Sequence, residues 1–147
     1  MRAFFRMIAI STIAVGLAAC NQMPSSKTYK AELWAANEVP PVSGPGKGTG
    51  VFTLDPATKL LSWTVSFSDL SGPATAAHIH GPAAVGANAA VVVPFDNVPK
   101  ATSGEIKGSK VLTDAQIADL DAGKYYVNVH TEANKGGEIR GQLRPGM

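Results

Sequence analysis

The chain has 147 residues with 13 basic and 11 acidic side chains, which give a formal net charge of +2 at pH 7. Charge this close to balance gives no reason to expect a nucleic-acid partner, which would require a concentrated basic face. Cys20 is the only cysteine, so the chain has no internal disulfide and its fold depends on a hydrophobic core. The length suits one domain.

The first 19 residues are typical of a cleavable signal peptide. Arg2 and Arg6 precede an uncharged apolar stretch at residues 7–19. At roughly a dozen residues this stretch is too short to span a bilayer as a helix, which needs about 20. A basic start followed by a short apolar core and small residues therefore predicts a segment that is removed and takes no part in the fold.

The four residues LAAC that end at Cys20 resemble the lipobox of bacterial lipoproteins. The resemblance implies that Cys20 becomes the first residue of the mature protein and carries a diacylglyceride on its sulfur. Asn21 follows in place of the Asp that holds lipoproteins in the inner membrane, which favours the outer membrane of the cell envelope. Two or more acyl chains anchor a protein firmly. Residues 20–28 are then a lipidated N-terminus and polar tether ahead of a domain at 29–145.

In the rest of the chain, short segments with a strand pattern are separated by turns that contain Gly and Pro. The clearest pattern is at residues 60–67, where Leu61, Trp63, Val65 and Phe67 share one face with period two. Strands are predicted at residues 29–35, 48–54, 60–67, 76–80, 89–95, 104–111, 125–131 and 137–143.

One short helix is predicted between the sixth and seventh strands. Thr113 and Gln116 have the spacing of a capping box, and Gly123 is well placed to end the helix. Short strands with almost no helix predict an all-β fold, either a single Greek-key or immunoglobulin-like β-sandwich or a flattened barrel. The predicted core consists of Leu61, Trp63, Val65, Phe67, Val91, Val93, Tyr125, Val127 and Val129.

The three histidines of the chain have a spacing that suits a metal ion. His78 and His80 lie two apart on a predicted strand and therefore point to one face. His130 and Asn128 share the face of another strand that is opposite its core valines. Neutral imidazoles suit copper, zinc, iron and nickel, and three of them leave a coordination position open. A structural, hydrogen-bonded surface and proton chemistry are alternative interpretations of the same pattern.

A second cluster combines carboxylates with one arginine. Glu138 and Arg140 lie two apart on the last predicted strand and share a face. Because Arg favours planar contacts with carboxylates, Arg140 is predicted to form a structural ion pair with Glu38 or Glu138. Alternatively, Arg140 lies near the histidines and attracts an anion. Asn128 and Glu138 are candidates to orient metal ligands from outside. No nucleophile–base motif or phosphate loop is recognisable, so no catalytic residue is predicted.

Four motifs together resemble the CHRD domain, which is named after the extracellular protein chordin and occurs widely in bacterial secreted proteins. They occur in order within residues 30–144, which are nearly all of the predicted mature chain. The resemblance implies an extracellular β-sandwich module without a known enzymatic activity. The motifs are NEVPP at residues 37–41, AHIHG at 77–81, YVNVHT at 126–131 and GEIRGQL at 137–143.

A weaker likeness is to copper-zinc superoxide dismutase, which is also a Greek-key β-sandwich. His78, His80 and His130 resemble its copper ligands in kind and order, although its bridging histidine, zinc ligands and disulfide are missing here. The likeness implies a mononuclear copper site rather than dismutase activity. The sequence thus predicts a lipid-anchored binding module of the bacterial envelope, with copper as its candidate cofactor and a protein or small molecule of unknown identity as its partner. Two alternatives stay open: a copper-only dismutase-like redox enzyme, and a metal-free structural or adhesion module.

Overall fold

The computed structural model describes residues 25–146. The predicted signal peptide and the lipidation at Cys20 lie outside the described residues. Within them, no helix has the length and hydrophobicity needed to span a membrane. The elements are, in chain order, β1 (Lys27–Trp34), a 3₁₀ helix (Ala35–Asn37), β2 (Lys47–Asp55), β3 (Leu60–Ser68), β4 (Ala74–His80), β5 (Val91–Pro94), β6 (Gly104–Val111), α1 (Asp114–Asp121), β7 (Tyr126–Thr131), β8 (Ile139–Gln142) and β9 (Arg144–Pro145).

Eight strands follow one another around a single antiparallel sheet in the order β5-β4-β7-β8-β1-β2-β3-β6, and the short β9 pairs with β1. The sheet curves until it is nearly closed, with β5 and β6 as its two free edges. Trp63 on β3 stacks on Phe95, which follows β5, with ring centroids 4.6 Å apart. The prediction of an all-β flattened barrel is confirmed.

The core follows the period-two pattern of the sequence with one exception. Leu61, Val65 and the other predicted core residues are buried, but Val91 is 48% exposed. The pairing of β4 with β5 shifts register between Ile79 and His80, so β5 has one residue more than its partner at that point. Such a bulge breaks the alternation of side chains, and Val91 therefore leaves the face that Val93 occupies. The prediction that Val91 lies in the core is wrong.

The start of β1 differs from its prediction, whereas both ends of α1 match theirs. Lys27 and Thr28 already pair with β2, so β1 begins two residues ahead of its predicted start. At α1, the Thr113 hydroxyl accepts from the backbone N–H of Gln116, whose side chain accepts from the backbone N–H of Thr113. Gly123 follows the helix at φ +67°, a conformation that favours glycine. The predicted capping box and helix end are confirmed.

The outer face of β7 is covered, which is unusual for a strand in a small barrel. All six residues of β7 are buried, although only alternate ones face the core. The segment at residues 81–90 folds over this outer face, and the backbone N–H of Ala83 donates to the carbonyl of Lys124 at 2.8 Å. Polar side chains on the outside of β4, β7 and β8 are therefore enclosed between the sheet and a covering loop.

Candidate metal centre

The three histidines lie together in this enclosed layer. His78 and His80 point outward from β4, opposite Asn128 and Tyr126 of β7, while His130 lies opposite Ala76. One ring nitrogen from each histidine can be chosen so that all three lie within 4.8 Å of one another. Nδ1 of His78 is 2.9 Å from Nε2 of His130. The two distant segments of the chain therefore form one cluster.

The partners of two histidines determine which ring nitrogen carries the proton. Nδ1 of His80 lies 3.0 Å from the carbonyl of Ala89, and Nδ1 of His130 lies 2.9 Å from the carbonyl of Lys135. A carbonyl only accepts, so both Nδ1 atoms donate, and Nε2 keeps the lone pair when the ring is neutral. This arrangement, with a backbone carbonyl holding the far nitrogen, is common for histidines that bind metals. The Nε2 of His130 then accepts a hydrogen bond from His78.

The cluster favours neutral imidazoles, the form that binds metals. Burial, together with the neighbouring His130 and His80, lowers the pKa of His78 to about 4. Burial also lowers the pKa values of His80 and His130, against the opposing effect of their hydrogen bonds to backbone carbonyls. At neutral pH the three rings therefore offer lone pairs rather than positive charges.

Three buried polar atoms of the layer have no hydrogen-bond partner among residues 25–146: Nε2 of His80, Oδ1 of Asn128 and Oε1 of Glu38. A hydrogen bond to Asn128 favours the charged form of the His80 ring, but in the neutral ring Nε2 carries only a lone pair. Buried polar atoms are nearly always paired, so an unpaired nitrogen lone pair at a histidine cluster calls for an explanation. An ion bound there would satisfy Nε2 of His80. The residues present thus fit a metal in donor type, and His80 and His130 fit it in proton arrangement; an ion would take the place of the proton that His78 donates to His130.

Two side chains, stacked one on the other, support the His80 ring from one side. The rings of His80 and Tyr126 are parallel to within 3°, with centroids 4.9 Å apart. The guanidinium carbon of Arg140 lies 3.4 Å from the centre of the Tyr126 ring. Cation, phenol and imidazole are therefore stacked across β8, β7 and β4.

Arg140 is 2% exposed and does not form the predicted ion pair. Within the described part of the chain its donors instead reach Ala87 and Asn88 in the covering loop, at 2.6 and 3.0 Å. Neither Glu38 nor Glu138 forms a salt bridge with it in that part of the chain. The predicted ion pair is absent there because two oxygens of the loop, from the Asn88 side chain and the Ala87 backbone, accept from Arg140 instead. The Glu138 carboxylate is hydrogen-bonded to other residues.

Glu38 also belongs to this layer, is 4% exposed and has Oε1 unpaired among the described residues. Burial raises its pKa to about 7, although the charge of Arg140 and a hydrogen bond from Asn128 oppose the rise. Gly137, at φ +133°, lets Glu38 and Asn128 approach its backbone where a side chain would collide. Asn128 also donates to the carbonyl of Gly136 at 3.3 Å. Asn128 thus links Glu38 to the turn between β7 and β8.

The Glu138 carboxylate is held by four hydrogen bonds and has a structural role. Its carboxylate accepts from the backbone N–H and hydroxyl of Ser71 at 2.6 and 2.7 Å, from Thr131 at 2.6 Å and from Asn134 at 3.1 Å. Burial raises the pKa of Glu138, but the hydrogen bonds together outweigh that effect and leave it below its ordinary value. Glu138 therefore fastens the β7–β8 turn to the loop after β3.

The family model of the CHRD domain matches residues 29–143. The chain belongs to the CHRD domain family. The family resemblance predicted from the four motifs is therefore confirmed, and those motifs supply the residues of the enclosed layer: Glu38, His78, His80, Tyr126, Asn128, His130 and Arg140. No curated protein and no solved structure shows a significant match to this CHRD domain.

Sequence reasoning missed part of this layer. Tyr126 shares the outer face of β7 with Asn128 and His130, so period two could have placed it beside the histidines. Ala89 acts through its backbone groups and Asn88 through its side-chain amide. No sequence pattern indicates that either residue contacts the layer. The histidines of the CHRD domain thus lie on two predicted strands, whereas the loop that contacts them has no recognisable pattern in the sequence.

Proposed function

We propose that this CHRD domain binds one copper ion through His78, His80 and His130, and that a lipid on Cys20 anchors it in the bacterial outer membrane. The observation that carries the metal proposal is the convergence of three imidazole nitrogens within 4.8 Å. Carbonyl groups hold the far nitrogens of two of these rings, which supports the proposal further.

Copper is the ion that the donor set favours. For a given set of nitrogen ligands, Cu²⁺ binds more tightly than the other divalent first-row metals, and imidazole suits it well. The three histidines supply no thiolate and no carboxylate, which would favour other ions. His78 is only partly buried, so the fourth position would open to solvent on its side of the layer.

The redox alternative, a copper-only dismutase-like enzyme, has less support. Arg140 is the residue that the sequence predicts to attract an anion, and it is buried with its donors engaged by the covering loop. Binding without catalysis is therefore the function that the site supports best. A superoxide assay on the copper-loaded protein distinguishes the two.

We expect the protein, purified from a bacterial host, to bind one Cu²⁺ per chain. The double variant His78→Ala/His80→Ala should bind it more than about 100-fold more weakly, since removal of even an outer partner of a ligand costs 10–100-fold. Isothermal titration with Cu²⁺ measures both affinities. Circular dichroism checks that the double variant is folded.

Val91→Ala is the matched control, because Val91 lies opposite His80 in the sheet but its side chain is exposed. It should bind Cu²⁺ as the wild type does. Equal copper uptake by the wild type and the double variant would refute the proposed site. A wild type that binds no copper would favour the metal-free structural module.

We also expect the wild-type chain, but not Cys20→Ser, to incorporate labelled palmitate when expressed in a Gram-negative bacterium. The thiol of Cys20 would carry the diacylglyceride, and serine has no thiol. Asn21→Asp serves as the control, because it should keep the label and shift the protein toward the inner membrane. Absence of label from the wild type would contradict the anchor.

A further inference from the structure

The loop segment Ala87–Ala89, here called the 87–89 segment, is tied to the barrel at its first two residues. Arg140 donates to the carbonyl of Ala87 at 2.6 Å and to the side-chain oxygen of Asn88 at 3.0 Å. The Asn88 amide in turn donates to the carbonyl of Val39 at 2.9 Å. Arg140 is enclosed whereas Asn88 is exposed, so a buried side chain of β8 holds a loop that would otherwise lie in solvent.

The third residue of the 87–89 segment connects to the histidine cluster. The backbone N–H of Ala89 donates to the hydroxyl of Tyr126 at 3.1 Å, and its carbonyl accepts from Nδ1 of His80 at 3.0 Å. Tyr126 also stacks on the His80 ring. The edge and one face of the His80 imidazole are therefore held by groups that themselves depend on Arg140 and Tyr126.

We infer that Arg140 and Tyr126 are positioning residues for the metal ligand His80, and that they act through the 87–89 segment. The inference rests on the proposed copper site. This inference assigns Arg140 a role that differs from both an ion pair and the attraction of an anion. A ring fixed at Nδ1 and across its face keeps Nε2 aimed at one point, and this raises affinity by removing the cost of orienting the ligand.

Asn88 allows a test that spares the core, because its side chain is exposed. Asn88→Ala removes one of the two acceptors of Arg140. Asn88→Asp keeps an oxygen there, with a negative charge that pairs with Arg140, and loses the donation to Val39. Tyr126→Phe keeps the stacked ring and removes the hydroxyl bound to Ala89. Val85→Ala is the control, since Val85 is an exposed residue of the same loop.

We expect Asn88→Ala and Tyr126→Phe to weaken Cu²⁺ binding by about 10-fold or more and to alter the electron paramagnetic resonance spectrum of the bound Cu²⁺. Asn88→Asp should restore both properties, and Val85→Ala should leave both unchanged. In the metal-free protein, the His80 Nδ1–H resonance should broaden in the two weakened variants as the proton becomes exposed to exchange. A purely structural role would change thermal stability without changing the spectrum.

Two results would overturn the inference, and they are distinguishable from each other. If the wild type binds copper and Asn88→Ala and Tyr126→Phe match it in affinity and spectrum, the positioning role fails and the copper site stands. If the wild type binds no copper at all, the proposed function fails and the inference fails with it.

Discussion

Replacing Glu138 by alanine is expected to lower the free energy of unfolding by about 4 kcal/mol. The change removes an acceptor that serves Ser71, Thr131 and Asn134 through four hydrogen bonds. Each buried donor that loses its partner costs roughly 1–3 kcal/mol, and water can reach only part of the space that is left. The midpoint of thermal unfolding should fall by roughly 15 °C, which calorimetry measures.

Glu138→Gln should cost less than the alanine change but still destabilise the fold. Every partner of the carboxylate donates to it, so the amide NH₂ of Gln must face at least one donor. Glu132→Ala in the same turn is the control, because Glu132 is exposed and forms a surface ion pair with Lys135. A loss for Glu138→Ala no larger than that of the control would refute this account of the turn.

Replacing Glu38 by glutamine is expected to stabilise the domain above pH 7 and to have little effect below pH 4.5. Burial raises the pKa of Glu38 from 4.5 to about 7, with Arg140 and Asn128 opposing the rise. Between these pH values the folded state keeps a proton that the unfolded state has released. The stability of the wild type therefore falls, relative to the variant, as pH rises from about 4.5 to 7.

The full difference corresponds to about 3 kcal/mol, because each unit of pKa is worth about 1.4 kcal/mol. Urea unfolding of both proteins between pH 4 and 8 measures it. Glu32→Gln is the control, since it makes the same change at a glutamate that lies exposed on β1. A gap between wild type and Glu38→Gln that closes as pH rises would show that Glu38 is instead stabilised as an anion.

The strands and the histidine cluster were predictable because both depend on the alternation of side chains between the two faces of a strand. The alternation at residues 60–67 and the His78–His80 spacing each specify which side chains share a face. The capping box at Thr113 was predictable because its hydrogen bonds are local in sequence. Where neighbouring residues alone decide the geometry, a single sequence is therefore sufficient.

The failures all involve contacts between distant segments. Val91 alternates correctly with Val93, but the bulge that turns it outward arises from the register of β5 against β4. Arg140 was assigned a carboxylate partner by its chemistry, whereas the fold brings the oxygens of Ala87 and Asn88 to it. The sequence shows which side chains need hydrogen-bond partners, but the path of the covering loop determines which partners lie within reach.

The position of the two ligand-bearing strands within the sheet has a consequence for how an ion would be taken up. β4 and β7 each have a neighbouring strand on both sides, so their separation is set by backbone ladders. Small metal domains such as zinc fingers are unfolded without their ion, because no scaffold holds the ligands apart. Here the scaffold exists beforehand, so an ion bound at the proposed site would enter and leave without unfolding the barrel.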